Sequence, residues 1–395
     1  ELPSLVEVHR ARHIEPTLRG LRMALGGRDR TFAALKPEND LPQSGVNGRQ
    51  GAQAGGNAPS RYAEIVRLLG EWPDRYWTWS LAAHRLCRRL IQEQDIKLIY
   101  TSAVPTSPLA AAQSLQEEFG LKWVADFRDP VGYGQKHSAR GVIASGMEQK
   151  ILNRAMNNAD MVTGLASSYG SIFFDLYGLP EERYRFIPTG LDEEYLKHDS
   201  NVARDDGLLL HVGEVMPNQS PHIFCVLARA HEINPVFMSG FRLVFVGRRE
   251  INAPRVAALI ESITDWPYTV EFIDHAPQAE VYSLIRRARA CLLIPGRQRF
   301  WWTNFAKLAD YLALRAPCIA DVPAVSEARE ELDKLGNGFF LGGEDVEADA
   351  LALLKWLNLD QKAEAGDYSR RYTAKRQVEE FSVVFDSILS GGVTG

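Results

Sequence analysis

The sequence predicts an α/β protein with two doubly wound, Rossmann-like domains built on parallel sheets. Short apolar runs that end at Gly, Pro or Asp alternate with amphipathic segments of helical periodicity, which is typical of βαβ units. The alternation is interrupted by a polar, charged stretch at 188–207 and then starts again. A chain of 395 residues is also long enough to bury two hydrophobic cores. We therefore expect domains at 1–190 and 208–366 that face each other across a cleft.

The clearest βαβ unit lies between Ala290 and Pro323. Cys291–Ile294 is an apolar run followed by Pro and Gly, which predicts a strand buried on both faces. Apolar residues at 305, 308, 309 and 312 then repeat with helical spacing, so an amphipathic helix should follow. Pro317 ends this helix, and Cys318–Ala320 predicts the next parallel strand, reached by a right-handed crossover.

The loop between this strand and helix combines positive charge with a helix N-terminus. It contains Arg297 and Arg299, and Thr303 or Asn304 is expected to supply the N-cap oxygen. In parallel sheets, ligands bind beyond the carboxyl ends of the strands, where helix N-termini carry partial positive charge and free N–H groups. The loop therefore predicts a phosphate site. A surface loop with two solvated arginines is the alternative that this segment alone leaves open.

The same reasoning predicts the other elements of both halves. In the first half, strands are expected at Leu98–Thr101, Trp123–Asp126, Asp160–Thr163 and Arg185–Pro188. Helices are expected there at Ser80–Gln94, Ala110–Phe119 and Gly146–Asn158, with one more ending near Tyr177. In the second half, strands at 208–212, 242–246 and 269–273 alternate with helices at 221–231, 254–263 and 278–289. Helices at 346–357 and 368–389 complete the chain.

The residues before the first clear strand carry weaker signals. A helix is expected at 14–25 and a short strand at 31–35. Gln43–Ser60 is rich in Gly, Ala, Gln and Asn, which predicts a mobile loop, with a lid over a substrate as the alternative. An aromatic patch follows, which fits either a platform for a sugar or lipid acceptor or the packing of a helix against a sheet. Its members are Trp72, Tyr76, Trp77 and Trp79.

Composition and charge narrow the classes of function. Hydrophobic residues make up 45% of the chain and charged residues 24%, which is ordinary for a soluble globular protein. The net charge of −5 argues against nucleic-acid binding through broad electrostatics. No apolar run approaches the about 18 residues of a membrane span, and the N-terminal residues lack a signal-peptide core. We therefore expect a cytoplasmic protein.

The four cysteines have no metal-binding spacing. Cys87, Cys225, Cys291 and Cys318 form no CxxC pair and lie in apolar contexts, so reduced core residues are expected. No metal site is predicted.

The order of several weak motifs carries a resemblance to a known family. Between about Ile96 and Pro323 the sequence reads, in order, TSAVPTSPLAAA, WVADFRDP, NADMVTGLASSYGSIFFDLYG, FIPTGLDEEYL, LLLHVGE, RLVFVGRRE, VEFIDHAPQAEVYSLIRRARACLLIP and KLADYLALRAPCIAD. This set resembles bacterial glycosyltransferases of family 4, which have the two-domain GT-B fold. The resemblance covers most of the chain, and its strength is the order of the motifs.

The resemblance implies both an activity and a division of labour. It implies transfer of a sugar from a nucleoside diphosphate sugar to an acceptor, with retention at the anomeric carbon and without a cofactor or bound metal. Residues 1–190 would hold the acceptor and 208–366 the donor, and a helix within 367–395 would return to the N-terminal domain. The acceptor would be a polysaccharide, a lipid-linked sugar or a secondary-metabolite precursor. Peripheral contact with the inner face of the membrane stays open.

The donor-binding residues implied by the family are only partly present. Relatives commonly place two glutamates eight positions apart; here Asp310 aligns with the second and Trp302 with the first. Relatives also carry Arg and Lys after the glycine of the first strand, where this chain has Gly213 and Glu214. Asp310 would then hydrogen-bond the ribose, and Glu214 the base or ribose. Candidates to meet the diphosphate are Arg248, Arg249, Arg297, Arg299 and Lys307, together with Thr303 and Asn304 at the helix start.

The catalytic candidates follow a strand of the first half. Asp126, Phe127, Arg128 and Asp129 stand where relatives carry a His-Asp pair that faces the reacting centre. Asp129 matches the acidic member and Arg128 replaces the histidine, although His137 is close in sequence. A structural pair of Asp and Arg at a strand end is the alternative interpretation.

Two other functions stay open at the sequence level. One is a catalytically inactive GT-B homologue that binds a nucleotide or a partner protein, which the missing glutamate and the missing Arg/Lys pair favour. The other is a sugar-nucleotide epimerase of the same fold, whose acidic and histidine residues find no match here.

Overall fold

The computed structural model describes residues 6–11, 74, 76–133, 142–197, 203–216, 219–295, 300–343, 345–359 and 367–391. Internal contacts divide the chain into two compact units. The first consists of Glu1–Gly164, Tyr169–Phe186 and Val384–Gly395, and the second of Leu165–Ser168 and Ile187–Val383. The elements expected at 14–25 and 31–35 and the loop expected at 43–60 lie outside the described residues, as does Trp72.

The first unit contains a parallel sheet whose described strands follow one another in chain order. They are β1 (Leu98–Ala103), β2 (Lys122–Phe127), β3 (Met161–Gly164) and β4 (Tyr184–Phe186). The accompanying helices are α1 (Trp77–Glu93), α2 (Ser107–Phe119), α3 (Val142–Asn158) and α4 (Ser168–Tyr177). All four predicted strands are confirmed, and β2 is buried along most of its length because helices cover a parallel sheet on both faces.

The second unit contains a six-stranded parallel sheet of the doubly wound type. Its strands are β5 (Asp205–Val212), β6 (Arg242–Val246), β7 (Thr269–Ile273), β8 (Ala288–Leu293), β9 (Cys318–Ala320) and β10 (Gly338–Phe340). Their spatial order is β10-β9-β8-β5-β6-β7. The chain moves outward from β5 to β7 and then returns to the other side of β5 through β8. The topological switch point therefore lies between β5 and β8, which pair in parallel.

The helices of the second unit are mostly those that the sequence predicts. They are α5 (Glu193–Lys197), α6 (His222–Ile233), α7 (Pro235–Met238), α8 (Arg249–Ile260), α9 (Gln278–Arg287), α10 (Ala306–Ala313), α11 (Glu327–Leu335) and α12 (Val346–Leu357). Not predicted were α5, α7, α11 and β10. The stretch 188–207, expected to be a linker, contains α5 and the start of β5, and Leu191 forms an isolated bridge with Thr373.

The helix that contains Pro254 and the C-terminal helix differ from the prediction. A helix was expected at 254–263, but α8 begins at Arg249, and Pro254 lies inside it although proline disfavours a helix interior. The C-terminal helix expected at 368–389 is a 3₁₀ segment, Asp367–Tyr372, followed by α13 (Ala374–Leu389). The residues of α13 from Val384 onward belong to the first unit, where the ring of Phe385 meets that of Tyr100 edge-on at 6.1 Å.

Two hydrophobic cores cover the opposite faces of the second sheet. Successive strand residues alternate between them: Leu208 and Leu210 of β5 lie in one core, and Leu209 lies in the other. Cys291 and Cys318 are buried in the first of these cores, as predicted. Cys87 differs from the prediction because it is exposed on α1, and all four cysteines are free thiols.

Candidate functional site

The candidate site lies in the second unit, at the carboxyl ends of β5 and β6 and the start of α10. β5 ends at Val212, and Gly213 follows with a positive φ of +88°. The Gly213 amide donates to the Val246 carbonyl at 2.7 Å, so the turn after β5 is tied to the end of β6. Gly247, which follows β6, has φ +143°, and a Cβ there would lie 3.0 Å from the Gly213 carbonyl oxygen. Glycines thus allow the two turns to approach each other.

Asn252 holds the turn after β5 in place and was not predicted from the sequence. It is fully buried on α8, where its Nδ2 donates to the Gly213 carbonyl at 3.2 Å and its Oδ1 accepts from the Val215 amide at 2.9 Å. A buried amide side chain that pairs with both backbone groups fixes the path of the loop. The sequence feature that could have identified Asn252 is its position one turn into a helix that follows a strand.

Lys307 of α10 reaches the same turn. Its Nζ lies 3.5 Å from the point where a Cβ on Gly213 would be, and 3.0 Å from Nε2 of His211. Burial lowers the pKa of Lys307 to about 8, while the nearby Glu214 carboxylate acts in the opposite direction. At neutral pH the ammonium form therefore predominates. The structure brings Lys307 together with Gly213 and Glu214, three of the residues that the sequence predicts to bind the donor.

Glu214 and Arg248 form an ion pair beside Lys307. Arg248 Nε donates to Glu214 Oε1 at 2.6 Å, and both side chains are partly buried. The sequence assigned Glu214 to the base or ribose and Arg248 to the diphosphate as independent groups, whereas the structure joins them. The guanidinium balances the carboxylate, so Lys307 supplies the net positive charge of this trio. Arg249, the next residue, is exposed, and its amide donates to Asp274 Oδ1 at 3.3 Å.

The start of α10 differs from the prediction. The N-cap residue is Phe305, without a side-chain cap, so neither Thr303 nor Asn304 supplies the expected N-cap oxygen. The reason is a turn in which the Thr303 amide donates to the Phe300 carbonyl at 3.1 Å, which places both residues before the helix. Asn304 is buried, and its Oδ1 has no hydrogen-bond partner in the described part of the chain. Arg297 and Arg299 lie outside the described residues.

Asp310 lies one turn after Lys307 on α10 and accepts a hydrogen bond from a tyrosine. The Tyr282 hydroxyl donates to Asp310 Oδ1 at 3.4 Å. Burial raises the pKa of Asp310 from 3.8 to about 6, although the hydrogen bond from Tyr282 acts in the opposite direction. The carboxylate is therefore a poorly hydrated acceptor that a further hydroxyl donor would satisfy.

The Asp310→Asn substitution is expected to raise the stability of the protein much more at pH 7.5 than at pH 4.5. Because the folded-state pKa of Asp310, about 6, lies above its ordinary value of 3.8, the folded state binds the proton more tightly. Stability therefore falls as the pH rises from about 4 to 6, by up to about 3 kcal/mol at about 1.4 kcal/mol per pKa unit, and the amide removes that loss. Urea unfolding at both pH values measures it, with Asp175→Asn, an exposed residue of α4, as the control. An equal effect of Asp310→Asn at both pH values would contradict the assignment.

Trp302, which aligns with a glutamate of the relatives, belongs to an aromatic turn. Its ring lies 5.9 Å from that of Phe300 and 6.0 Å from that of Trp301. Glu327, which the sequence did not single out, ties this turn to other parts of the second unit. Its amide donates to the Trp301 carbonyl at 2.7 Å, and its buried carboxylate accepts from the Ser167 amide at 2.8 Å. The hydrogen bonds of this buried carboxylate therefore serve to stabilise the fold.

In the first unit, Asp126 at the end of β2 organises the predicted catalytic segment. Its side chain is 1% exposed, and Oδ2 accepts from Arg128 Nε at 2.8 Å. The same carboxylate accepts from Thr163 Oγ1 at 2.7 Å, from Tyr100 Oη at 2.9 Å and from Ser102 Oγ at 3.3 Å. The alternative interpretation of this motif, a pair of Asp and Arg at a strand end, is thus present as Asp126–Arg128.

Arg128 and Asp129 both reach solvent from this segment. The Arg128 side chain is 38% exposed, and Asp129 is exposed. Nearby atoms nevertheless partly desolvate the Asp129 carboxylate, which raises its pKa above the ordinary value. The structure thus presents one cation and one carboxylate at the carboxyl end of β2, the edge where parallel sheets bind ligands.

The Gly213→Ala substitution is expected to lower the free energy of unfolding by about 1–2 kcal/mol. The cost comes from the backbone, because φ is +88° while the nearest atom to a new Cβ, Lys307 Nζ, is at an ordinary 3.5 Å. Gly343→Ala is the matched control, since its φ is not positive and the nearest atom to its Cβ is 3.9 Å away. Urea unfolding compares the two variants. Equal stability would show that the turn after β5 tolerates a side chain.

Comparison with solved structures identifies the fold. HepE from Anabaena, solved in complex with UDP, aligns with 78% of this chain and 82% of its own at 14% identity and a TM-score of 0.57. A glycosyltransferase from Rickettsia africae aligns over 84% of both chains at 13% identity and a TM-score of 0.53. The α,α-trehalose 6-phosphate synthase from Burkholderia multivorans aligns with 85% of this chain and 77% of its own at 13% identity and a TM-score of 0.55.

These neighbours are GT-B glycosyltransferases, and the chain has their fold, with two Rossmann-like α/β domains. The expected fold class is therefore confirmed; at this level of identity the likeness concerns the fold. No protein-family model matches the sequence, and a search of curated proteins finds no match either. Among the described residues, no helix is long and apolar enough to cross a membrane.

Proposed function

We propose that the protein is a glycosyltransferase that moves a sugar from a nucleoside diphosphate sugar to an acceptor, with retention and without a metal cofactor. The observation that carries this proposal is Lys307, whose ammonium lies against the glycine turn after β5, next to the topological switch point of a GT-B fold. A compact cation at that position suits a diphosphate. The HepE structures with UDP and with UDP-glucose support a nucleotide sugar as the ligand class to test first.

The donor is proposed to bind along the carboxyl edge of the second sheet. The diphosphate would lie between Lys307 and the first amides of α10, where the helix dipole adds positive potential. Asp310 would accept from a ribose hydroxyl, in addition to the hydrogen bond from Tyr282. Asn304, whose Oδ1 is buried without a partner among the described residues, would hydrogen-bond the donor. Arg297 and Arg299 are proposed to complete the phosphate contacts.

The proposed reaction breaks the bond between the anomeric carbon and the diphosphate oxygen. Negative charge then grows on the leaving diphosphate. A preorganised ammonium lowers the barrier because its attraction to the diphosphate is strongest in the transition state. The acceptor hydroxyl oxygen bonds to the anomeric carbon on the face that the diphosphate leaves. Its proton passes to a leaving phosphate oxygen, so this route requires no general-base histidine.

The acceptor side is proposed to lie in the first unit. Arg128 and Asp129 directly follow the buried strand β2, at the edge where ligands bind in parallel sheets. Asp126 fixes the orientation of Arg128 through the 2.8 Å ion pair. A solvent-accessible guanidinium and carboxylate suit hydroxyl-rich or phosphorylated acceptors. Polysaccharide, lipid-linked and secondary-metabolite precursors form the acceptor panel, and peripheral contact with the inner membrane face belongs to the lipid-linked case.

Calorimetry followed by a turnover assay tests the proposal. The protein is titrated with UDP, GDP and their sugars, and any donor that binds is then assayed for hydrolysis and for transfer to the acceptor panel. Binding with turnover is the expected result. Absence of binding to every nucleotide would overturn the proposed donor site.

A catalytically inactive GT-B homologue is the second candidate function. It is favoured by Trp302, which stands in a structured aromatic turn where relatives carry a sugar-contacting glutamate, and by the Glu214–Arg248 pair, which leaves fewer free cations. Binding of a nucleotide without turnover on any donor or acceptor would support this regulatory role.

A further inference from the structure

His211 is a buried histidine at the centre of the second sheet. It lies in β5, is 0% exposed, and is preceded by three leucines in LLLHVG. Burying an imidazole costs free energy unless its polar nitrogens find partners. Both nitrogens do: Nδ1 lies 3.1 Å from the Leu292 carbonyl oxygen of β8, and Nε2 lies 3.0 Å from Lys307 Nζ. The ring therefore connects the two strands of the switch point to α10.

These contacts define the protonation state of the ring. A carbonyl oxygen only accepts, so Nδ1 carries the proton and donates to Leu292. Nε2 then has a lone pair and accepts a hydrogen from the Lys307 ammonium. Burial and the charge of Lys307 lower the pKa of His211 well below its ordinary value, so the ring is neutral at physiological pH. The positive charge of the pair resides on Lys307.

The bond to His211 restricts a side chain that is otherwise flexible. A free lysine has about 2 kcal/mol of rotamer entropy to lose when it binds a phosphate. Here Nζ is already held 3.5 Å from the Cβ position of Gly213, and within the described parts of the chain His211 takes one of its three hydrogens, which leaves two for a ligand. Where the structure is described, the other charged groups near this ammonium are Glu214 and its partner Arg248. The Tyr311 hydroxyl accepts from the Val212 amide at 3.1 Å.

We propose that His211 is a positioning residue that holds the Lys307 ammonium in place for the diphosphate of the donor. This proposal rests on the proposed function. His211 itself does not touch the donor; it acts through Lys307, and the imidazole suits this task because it is uncharged and offers one donor and one acceptor on opposite sides. The competing interpretation is a core histidine whose only role is to stabilise the sheet.

A double-mutant cycle separates the two interpretations. His211→Leu, Lys307→Met and the double variant are titrated with UDP and with uridine by calorimetry. His211→Leu is expected to weaken UDP binding about five- to thirtyfold and uridine binding less than about twofold. In the Lys307→Met background, His211→Leu is expected to change UDP binding less than about twofold, because its effect passes through the lysine.

Two further variants keep the test valid where the leucine variant is poorly folded. The amide of His211→Asn reaches the position of Nδ1 but not of Nε2, so it is expected to keep the Leu292 contact and to lose affinity for UDP like His211→Leu. His211→Gln reaches Lys307 and is expected to retain affinity within about threefold of the native protein.

Specific outcomes would overturn the inference. Equal losses for UDP and uridine, or an undiminished effect of His211→Leu in the Lys307→Met background, would assign His211 to structure alone. If the native protein binds UDP and Lys307→Met loses affinity while no His211 variant does, the inference about His211 is wrong. The proposed donor site would then stand. A native protein that binds no nucleoside diphosphate would overturn the donor site and this inference together.

Discussion

Lys307→Met is expected to weaken the binding of UDP by about ten- to hundredfold and to leave uridine binding nearly unchanged. Methionine retains the length and much of the volume of lysine but removes the charge and all three donors. The loss should fall on the diphosphate because Nζ lies at the turn after β5, held there by the 3.0 Å bond to His211. Isothermal titration with UDP and uridine measures both affinities.

The pH dependence of UDP binding gives a second expected result for the same residue. The pKa of Lys307 is lowered to about 8, so its ammonium is lost on going from pH 7 to pH 9. The second ionisation of a phosphate, near pH 6, is complete throughout this range. UDP affinity should therefore fall above pH 8 in the native protein and vary much less in Lys307→Met.

The control for Lys307 is Lys355→Met on α12. Lys355 is exposed in the same unit, so its substitution removes one positive charge without touching the site. Its effect on UDP binding should stay below about twofold, because exposed charges are screened by salt. Equal losses in the two variants would mean that overall charge, and not a built site, attracts the nucleotide.

The repeating pattern of strands and helices was predictable from the sequence because each buried strand is a local apolar run. The neighbours of each strand were not predictable in the same way. β5 pairs with β8 although about eighty residues separate them, and this pairing creates the switch point. α11 was missed because its sequence, EAREELDKL, is mostly charged; its apolar stripe is short, and Glu331 is buried within it.

The candidate site was predictable as a set of residue types near strand ends, but not as a network. Lys307 stood among five possible cations, and the fold shows that it lies beside His211 and Gly213. His211 itself was invisible because a histidine within LLLHVG gives no indication of its partners. Thr303 and Asn304 are residue types that often cap helices. The turn that begins at Phe300 places both of them before the start of α10, so neither is the N-cap residue.

Asp126→Ala is expected to destabilise the first unit by about 3–5 kcal/mol. The carboxylate is 1% exposed and accepts from four side chains, two in β1, one in β3 and one in the turn after β2. Alanine leaves the Thr163 hydroxyl in the buried interior without its acceptor and the Arg128 guanidinium without its counter-charge. The pKa of Tyr100, which burial and the Asp126 charge raise to about 12, should also fall.

Hydrogen exchange measured on peptides locates the effect of Asp126→Ala. Amides of β1, β2 and β3 should exchange faster by a factor that corresponds to the lost stability, about tenfold for each 1.4 kcal/mol where exchange requires opening of the unit. Amides of the second unit should not change. The exposed Asp175→Ala on α4 is the matched control, and its effect should lie within about 0.5 kcal/mol of zero.

Asp126→Asn separates the charge of this residue from its hydrogen bonds. The amide oxygen can still accept from one neighbour, but the NH₂ group faces donors and cannot accept from them, so about 2–3 kcal/mol of destabilisation is expected. Because Arg128 then loses its ionic partner, its orientation should relax even where the unit stays folded. If Asp126→Asn left both exchange and donor turnover unchanged, Asp126 would not organise the catalytic segment, and Arg128 would be held by other contacts.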